Sequence, residues 1–224
     1  MPTANILAVA RPVLVREQAL QNLREAIISG DIAPGTRLIE RELCEAMGIS
    51  RASVREVIRQ LEAERLLHVE PRRGPVVTAL SIDEAREIYE IRAVLESRIA
   101  ARFASVATEA EIDHLAALCA EVEAQGRDPA QRAGVVKAMS DLLQHMGRVS
   151  GLSITSDLLG YMSARINALR LHAIAQPGRL GQSTRELSVM VAAIRARDPE
   201  AAAEASRVYV RNACAAALAH MERG

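Results

Sequence analysis

The sequence predicts a mainly α-helical protein: an N-terminal winged helix-turn-helix with a small β-hairpin wing, followed by an all-α bundle of about six helices. Half of the 224 residues are hydrophobic but only 2% are aromatic, so small aliphatic side chains dominate, as suits closely packed helices. Residues 40–67 contain two helix-like stretches around a glycine turn. From residue 81 onward, helix-capping signals recur without any strand signal.

Residues 1–11 are predicted to form a flexible arm, because they lack the basic start and long apolar core of a secretory signal. A first domain is expected over residues 12–80. Its first helix should span Val13–Ser29 and end at the following glycine, with an apolar side formed by Leu20, Leu23 and Ile27. After a Pro34-Gly35 turn, Leu38 and Ile39 predict a short strand or an extended entry into the next helix.

Residues 40–67 predict two helices joined by a tight turn. Gly48 suits the left-handed position that ends a helix, and Ser50 suits the N-cap of the next one. In that second helix, positions i, i+3, i+4 and i+7 form a buried stripe of Val54, Val57, Ile58 and Leu61. A different face of the same helix carries Arg51, Arg55 and Arg59.

Two short strands, His68–Glu70 and Val76–Thr78, are predicted after the helix pair. The loop Pro71–Pro75 between them is tipped by Arg72, Arg73 and Gly74. A ribbon with a basic tip that directly follows a helix-turn-helix is a wing, and its arginines can reach the minor groove or the phosphates of DNA.

These cationic residues have two interpretations. A capped, half-buried helix with cationic first turns is what a helix-turn-helix lays in the major groove of DNA. The alternative is a solvated charged face. The formal net charge is zero, with 28 basic and 28 acidic residues, so only local clustering of charge can favour the DNA interpretation.

Residues 12–80 resemble the winged-helix domain of the GntR family of bacterial transcription regulators, from LREAIISGDIAPGTRLIERELCEAMGIS through RASVREVIRQLEAERLLHVEPRRGPVV. The resemblance implies that double-stranded DNA is contacted early in the second helix, at the cap and first turns of the recognition helix, and at the wing tip. By position these roles fall on Arg41, Ser50, Arg51, Ser53, Arg55, Arg73 and Gly74. The family often has Thr or Pro where Ala52 and Ser53 stand, so the base preference could differ.

Residues 81–224 are predicted to form an all-helical domain. Capping boxes (an N-cap Ser or Thr with Glu three residues later) begin at Ser81, Thr108 and Ser183, and Asp128 and Asp198 each precede a proline. These signals predict six helices, at Ser81–Val106, Thr108–Gln125, Pro129–Val149, Ile154–Ile174, Ser183–Arg197 and Pro199–Met221. A bundle of this size can hold a central cavity.

The cysteines are odd in number and dispersed, which predicts reduced thiols at Cys44, Cys119 and Cys214. The apolar runs are too short to span a bilayer. We therefore expect a cytoplasmic protein without a membrane partner. Surface positions are expected for His114 and His220.

The opening of this domain, DEAREIYEIRAVLESRIAARFA, resembles the first helix of the FCD ligand-binding domain of FadR-like GntR regulators, and the match continues through SDLLQH and RELSVMVAAIRARDPEAA to RVYVRNA. Such domains often bind a divalent metal through an Asp and a His one helical turn apart and two further His. By position these ligands are Asp141, His145, Leu187 and Tyr209, with His172 as a spare. Leucine cannot ligate a metal and tyrosine rarely does, so we expect only a residual half-site at Asp141 and His145. A bound divalent metal is left as the alternative to a site without a cofactor.

The same resemblance places Arg92 in an effector pocket with Asp141, His145 and Tyr209. A buried arginine is a bidentate receptor for a carboxylate or phosphate, so a small organic acid is the expected effector. The alternative for Arg92 is an ion pair with Glu96, one helical turn away. Asp141 would oppose an anion unless it is protonated or paired.

The two resemblances together predict a transcriptional repressor that binds a near-palindromic operator as a homodimer. Its DNA affinity would be controlled by an effector in the helical bundle. Two alternatives stay open: a DNA-binding regulator whose bundle only dimerises, and a metal-dependent enzyme that uses Asp141 and His145. The enzyme is the weaker alternative, because no nucleophile, glutamate base or oxyanion device lies at an informative spacing.

Overall fold

The computed structural model describes residues 12–29 and 31–223. The chain divides into two compact units between Ala79 and Leu80, one residue before the boundary predicted from the sequence. The predicted arm over residues 1–11 and the predicted helix end at Gly30 lie outside the described residues.

The N-terminal unit is a winged helix-turn-helix. Its elements in chain order are α1 Pro12–Ser29, α2 Glu40–Met47, α3 Arg51–Ala63, β1 Leu67–Glu70 and β2 Gly74–Val77. The α3 stripe predicted from periodicity is buried, and it packs with apolar side chains of α1 and the hairpin in a core that includes Leu20, Leu23, Ile27, Val54, Val57, Ile58, Leu61, Leu67 and Val77. The predicted helix-turn-helix is thus confirmed.

The wing is a two-stranded antiparallel hairpin in which Leu67 pairs with Val77 and Glu70 pairs with Gly74. Each strand begins one or two residues earlier than predicted. Arg37 forms an isolated bridge with Val76, which confirms extended backbone just before α2. Gly74 has a φ of 88° and Arg72 a φ of 67°, so the tip places a non-glycine residue in the left-handed region.

The second unit is all-helical over its described residues. Its elements are α4 Ile82–Val106, α5 Glu109–Gln125, a 3₁₀ turn Pro129–Gln131, α6 Arg132–Ser150, α7 Ser153–Tyr161, α8 Ser163–Ile174, α9 Arg179–Arg195 and α10 Pro199–Met221. Helix α4 packs against α6, α9 and α10, while α5 packs on α6 and α9. The core between them is built mainly from aliphatic side chains, with four methionines, two tyrosines and the single phenylalanine, Phe103.

Three helices in this unit differ from the prediction. The helix expected from Pro129 begins with the 3₁₀ turn Pro129–Gln131, and α6 itself starts at Arg132. The helix expected over Ile154–Ile174 is two helices, because the chain tightens at Met162, whose N–H bonds the carbonyl of Leu159 three residues back. The capping box expected at Ser183 is wrong: α9 begins at Arg179 after Gly178, and Ser183 is buried within it. Its partner Glu186 accepts hydrogen bonds from Arg179 and Asn212 instead.

The other capping signals are confirmed. Ser81 with Glu84 and Thr108 with Glu111 form reciprocal capping boxes at the starts of α4 and α5. Asp198 caps α10 by accepting from the Ala201 N–H at 2.9 Å. Each of these caps satisfies a backbone N–H that the first helical turn leaves without a partner.

In the described part of the chain, no helix combines the length and the apolar character needed to cross a bilayer.

Candidate nucleic-acid interface and effector site

The first turn of α3 is capped by Ser50 and remains accessible to solvent. Gly48 ends α2 in the left-handed region with a φ of 64°, which turns the chain so that Ser50 can cap α3. The Ser50 hydroxyl accepts from the Ser53 N–H at 3.2 Å and lies 3.0 Å from the Ser53 hydroxyl. Ser50 is exposed and Ser53 is half-buried, and the positive end of the helix dipole lies beside them. This end of α3 can therefore receive an anion or a base edge.

The predicted DNA-contacting arginines are exposed and only weakly engaged. The Arg55 Nε donates to the Glu40 carboxylate at 3.0 Å, with 63% of the Arg55 side chain exposed. Arg41 lies 3.8 Å from Glu45, and Arg51 is exposed. Surface pairs of this kind contribute at most about 1 kcal/mol, so a phosphate can replace the carboxylate partner.

The wing tip offers a third exposed cation. Arg73 donates to Glu70 at 3.2 Å across the turn, and Gly74 follows it. The hydrogen bond from Arg73, with a second from His68, holds the pKa of the Glu70 carboxyl below its usual range. Glu70 therefore stays ionised at neutral pH and orients Arg73 at the tip.

Two ion pairs that the sequence does not reveal fix α3 against α1. Arg24 donates through two nitrogens to the half-buried Glu64 carboxylate, at 2.8 and 2.5 Å, and Arg16 donates to Glu56 at 2.7 Å. The partners are 40 residues apart, so no local pattern signals them. Both pairs fix the position of α3, and Glu56 also lies 3.8 Å from Arg59.

Apolar side chains fill most of the centre of the bundle, where Glu96, Arg170 and Ser206 also lie. Leu187 and Tyr209, at two of the positions implied as metal ligands, line a cavity of only about 20 Å³ together with α6 residues that include Met139, Leu142 and Met146. Thioether and aliphatic groups do not suit a hard divalent metal. Among the described residues, no cluster of three or more His, Cys, Asp or Glu side chains could hold a metal. The residues present do not fit the metal that the FCD resemblance implies.

Asp141 and His145 do not converge on this centre, so the predicted four-residue pocket is not formed. Asp141 accepts from Lys137 at 2.5 Å near the surface. The buried His145 ring donates from Nε2 to the Glu111 carbonyl at 2.9 Å and packs edge-on against His114. The physical reason is helical geometry: Asp141 is two residues from Met139, which turns it about 200° around the helix axis.

Arg92 forms the ion pair that the sequence left as an alternative. It is fully buried, and its Nε donates to Glu96 at 2.7 Å. Burial alone would lower the pKa of Arg92, but the adjoining Glu96 carboxylate raises it above its ordinary value. The guanidinium also lies 4.8 Å from the centre of the Tyr89 ring, and burial raises the pKa of Tyr89 to about 12. Arg92 is thus committed to a buried, charged pair.

Tyr209 also makes its polar contacts in the packed interior and not in an open pocket. Its backbone carbonyl accepts from Arg179 at 3.3 Å, and its ring lies 5.7 Å from the same guanidinium. Burial raises the pKa of the Tyr209 phenol, so the hydroxyl stays protonated.

A larger cavity of about 790 Å³ lies beside the centre, lined by α6, α7, α8 and Ile99 of α4. Of the four predicted effector residues, it is lined by Asp141 alone. Its inner wall contains Arg170, a buried residue that the sequence analysis missed. The available signal was a charged residue within an apolar helical stripe formed by Ile166, Leu169 and Ala173.

The remaining histidines differ from expectation in one case. His114 is exposed, as predicted. His220 is half-buried and lies with its Nδ1 3.0 Å from the Nδ1 of His172. Burial, and then the neighbouring His220, lower the pKa of His172. The predicted surface position of His220 is wrong because α8 packs against the end of α10.

Comparison with protein-family models gives two matches. Residues 15–77 match the model described as bacterial regulatory proteins, gntR family. Residues 87–212, more than half of the chain, match the FCD domain.

Curated relatives match over part of their length. The "HTH-type transcriptional repressor RspR" of Escherichia coli K12 is 36% identical over 97 residues, covering 43% of this chain and 42% of the relative. The "Gluconate operon transcriptional repressor" of Bacillus licheniformis is 41% identical over 75 residues, covering 34% and 30%. An uncharacterized HTH-type transcriptional regulator, YdhC of Bacillus subtilis, is 38% identical over 79 residues, which is 35% of either chain. The chain thus spans less than half the length of these three curated relatives.

Solved structures extend the likeness of fold to nearly the whole chain. E. coli McbR/YncC superimposes with a TM-score of 0.77 at 21% identity, covering 93% of this chain and 98% of that one. A putative GntR transcriptional regulator from Rhodococcus sp. RHA1 gives a TM-score of 0.73 at 23% identity, covering 91% and 97%.

Proposed function

The chain belongs to the gntR family of bacterial regulatory proteins and carries an FCD domain, and from this membership we propose that it is a transcriptional repressor whose operator affinity is controlled by a small carboxylate effector. The observation that carries the DNA-binding part is the capped, exposed start of α3, whose solvent face holds Arg51 and Arg55. The matched curated relatives are described as transcriptional regulators, and two as repressors.

In this proposal α3 enters the major groove of the operator. Ser50, Arg51, Ser53 and Arg55 lie on its first turns, where the N-terminal residues of a recognition helix meet base edges. Arg41 at the start of α2 and Arg73 with Gly74 at the wing tip contact the phosphates or the minor groove. Their surface carboxylate partners hold these arginines in place until phosphates replace them.

A homodimer explains how one short helix gains specificity. Two copies would place two α3 helices about 34 Å apart, one turn of DNA, over a near-palindromic site. Each half-site then contributes its own phosphate and base contacts.

The part of the proposal that concerns the effector depends on the helical bundle. Of the four side chains predicted to bind the effector, we retain Asp141, which lines the 790 Å³ cavity. Arg92, His145 and Tyr209 are engaged elsewhere as described above. A metal-dependent enzyme using Asp141 and His145 has no supporting geometry, because these two side chains face different neighbours.

A second candidate function is supported by the collapsed bundle centre. A cavity of about 20 Å³ is too small for an organic effector. If the larger cavity also bound nothing, the bundle would only dimerise the DNA-binding units. Titration of operator complexes with small carboxylates separates the two candidates: a changed operator affinity supports effector control, and no change supports the dimeriser.

The DNA-binding part is tested with a duplex selected by the full chain from a random-sequence library. Arg51→Ala and Arg55→Ala should each weaken binding to this duplex by about 1–3 kcal/mol, roughly 5- to 150-fold, as measured by fluorescence anisotropy. Arg102→Ala, which removes an exposed arginine from the helical unit, is the charge-matched control. Unchanged affinity in both α3 variants would show that α3 is not the recognition helix.

A further inference from the structure

Three buried arginines lie in the described part of the helical unit, and one of them lacks a carboxylate partner. Arg92 pairs with Glu96 at 2.7 Å and Arg179 pairs with Glu186 at 2.8 Å. No comparable ion pair involves Arg170 among the described residues, although only 5% of Arg170 is exposed. A buried guanidinium cannot lose its proton readily, so it requires a compensating anion.

The surroundings of Arg170 make this charge harder to keep. Burial lowers the pKa of Arg170, and the positive charge of Arg92 lowers it further, while the Glu96 carboxylate, which is paired with Arg92, acts in the opposite direction. Its Nη1 donates to the Ser140 hydroxyl at 2.8 Å and to the Asn167 carbonyl oxygen at 2.9 Å. Both of these acceptors are neutral. The Nε atom of Arg170 is buried and has no hydrogen-bond partner.

The charge of Arg170 lies at the wall of the 790 Å³ cavity. Ser163, Ile166, Asn167 and Arg170 line it from one face of α8, at positions i, i+3, i+4 and i+7. Ser140 lies on the facing helix α6 and orients the guanidinium. The cavity has the size of a small-molecule site, and its inner wall provides a fixed donor for a carboxylate.

The rest of the cavity favours a hydroxylated ligand. Its outer part is lined by Asp141 and Asp157, which accept hydrogen bonds, and by Ser156 of α7, whose hydroxyl is buried without a partner. Gly147 of α6 lets α7 approach closely, since a Cβ there would lie 2.6 Å from the Ser156 hydroxyl oxygen. Asp141 and Asp157 oppose a second anionic group close to them, and the exposed Arg148 is the other cation in the lining.

We propose that the lateral cavity between α6, α7 and α8 binds a small hydroxylated monocarboxylate, with the carboxylate on Arg170 and the hydroxyl groups toward Ser156, Asp141 and Asp157. The inference rests on the proposed effector control and moves its site from the apolar bundle centre to this cavity. It assigns to Arg170 the role that the sequence analysis gave to Arg92.

The test measures thermal unfolding of the full chain with millimolar lactate or gluconate as hydroxylated acids. Hexanoate serves as the acid without hydroxyls, and sorbitol as the neutral polyol. A probe at tenfold excess over its dissociation constant should raise the Tm by about 3–6 °C. We expect this rise with a hydroxylated acid and a smaller or absent rise with hexanoate and sorbitol.

Two variants localise the effect. Arg170→Met removes the buried charge, and Gly160→Phe fills the cavity from α7, where an added Cβ meets no neighbour within 4 Å. Both should abolish the rise. Gly181→Phe, at an exposed helical glycine of α9 whose added Cβ meets only a flexible arginine tip at 3.8 Å, is the matched control and should keep it. Because Gly160→Phe leaves Arg170 intact, the test holds even if Arg170→Met does not fold.

No rise with either hydroxylated acid in the wild-type protein overturns the proposal, as does a rise that survives Gly160→Phe. An equal rise with sorbitol overturns the carboxylate anchor, and an equal rise with hexanoate overturns the hydroxyl requirement. Operator affinity is measured on the same samples with and without probe. If the wild-type protein does not bind the operator, the proposed function is wrong but the ligand site is not affected. If a probe binds and the operator affinity does not change, the ligand site is supported and effector control is wrong.

Discussion

The arginines of the two units have opposite environments. In the winged helix-turn-helix, Arg41, Arg55 and Arg73 keep 53–69% of their side chains exposed and pair only with surface carboxylates. In the helical unit, Arg92 and Arg179 are at most 4% exposed and pair with nearly buried glutamates. The same residue type therefore offers charge to an external polyanion in one unit and organises the interior in the other.

The difference shows why the formal net charge of zero says little about DNA binding. Exposed pairs are screened by solvent and cost little to exchange, so a phosphate can displace Glu40 or Glu70 from its arginine. A buried pair has lost its hydration and cannot be opened without leaving an uncompensated charge.

Removing Glu96 should have the largest effect on the free energy of unfolding. Glu96→Ala leaves Arg92 fully buried without its carboxylate, which should cost about 3–5 kcal/mol of unfolding free energy. Urea unfolding followed by circular dichroism measures the cost. The double variant Arg92→Met with Glu96→Leu is the control and should lose much less. If Glu96→Ala were as stable as wild type, the buried pair would not organise the bundle.

Weakening the ion pair between α1 and α3 should have an intermediate effect on the free energy of unfolding. Glu64→Gln weakens a bidentate, half-buried contact with Arg24 and should cost about 1–2 kcal/mol. The matched change at an exposed pair, Glu40→Gln beside Arg55, should cost less than about 0.5 kcal/mol. Equal losses in the two variants would contradict the distinction between half-buried and exposed pairs.

The two serine caps should separate stability from DNA binding. Ser50→Ala and Ser81→Ala each remove one side-chain cap and should each cost about 1 kcal/mol of stability. Ser50→Ala should also weaken operator binding, because Ser50 lies at the start of α3. Ser81→Ala, at the start of α4, should leave the affinity for the isolated operator duplex unchanged. A loss of affinity in both variants would mean that the effect reaches DNA through stability alone.

The smallest effect concerns pH. The pKa of His172 is lowered in the folded protein by burial and by His220, so the unfolded chain binds more protons than the folded chain in acid. Stability should therefore fall as pH drops below about 6.5, the ordinary histidine value. His172→Gln should reduce this slope in unfolding experiments between pH 7.5 and about pH 5. A slope identical to wild type would show that the histidine pair does not couple folding to pH.

Elements defined by short sequence separation could be predicted, whereas those that depend on distant partners could not. Gly48 and Ser50 form a turn and a cap whose hydrogen bonds stay within four residues, so the helix-turn-helix was accessible. The Arg24–Glu64 pair spans 40 residues and leaves no local trace. The spacing of Asp141 and His145 correctly implied one helix but could not tell which face of α6 meets Leu187.

Ser183 illustrates a local signal overridden by tertiary packing. Its motif satisfies the capping rule, but Gly178 ends the preceding turn earlier, and Arg179 gains Glu186 and the Tyr209 carbonyl when α9 starts there. Arg170 shows the converse, because its role depends on a hydrogen bond to Ser140, 30 residues away, and on its position in the wall of a cavity. Sites built from several helices thus remain the part that a single sequence does not specify.

The most direct test of the central claim, that the exposed arginines of the winged unit are the DNA contacts, is the salt dependence of operator binding. Each phosphate contact removed should reduce the slope of log affinity against log salt by about 0.9. We predict a reduction of about 1.8 for Arg41→Ala combined with Arg73→Ala, which removes two contacts, and an unchanged slope for Arg102→Ala in the helical unit. Equal slopes for the wild-type protein and the Arg41/Arg73 double variant would contradict the account.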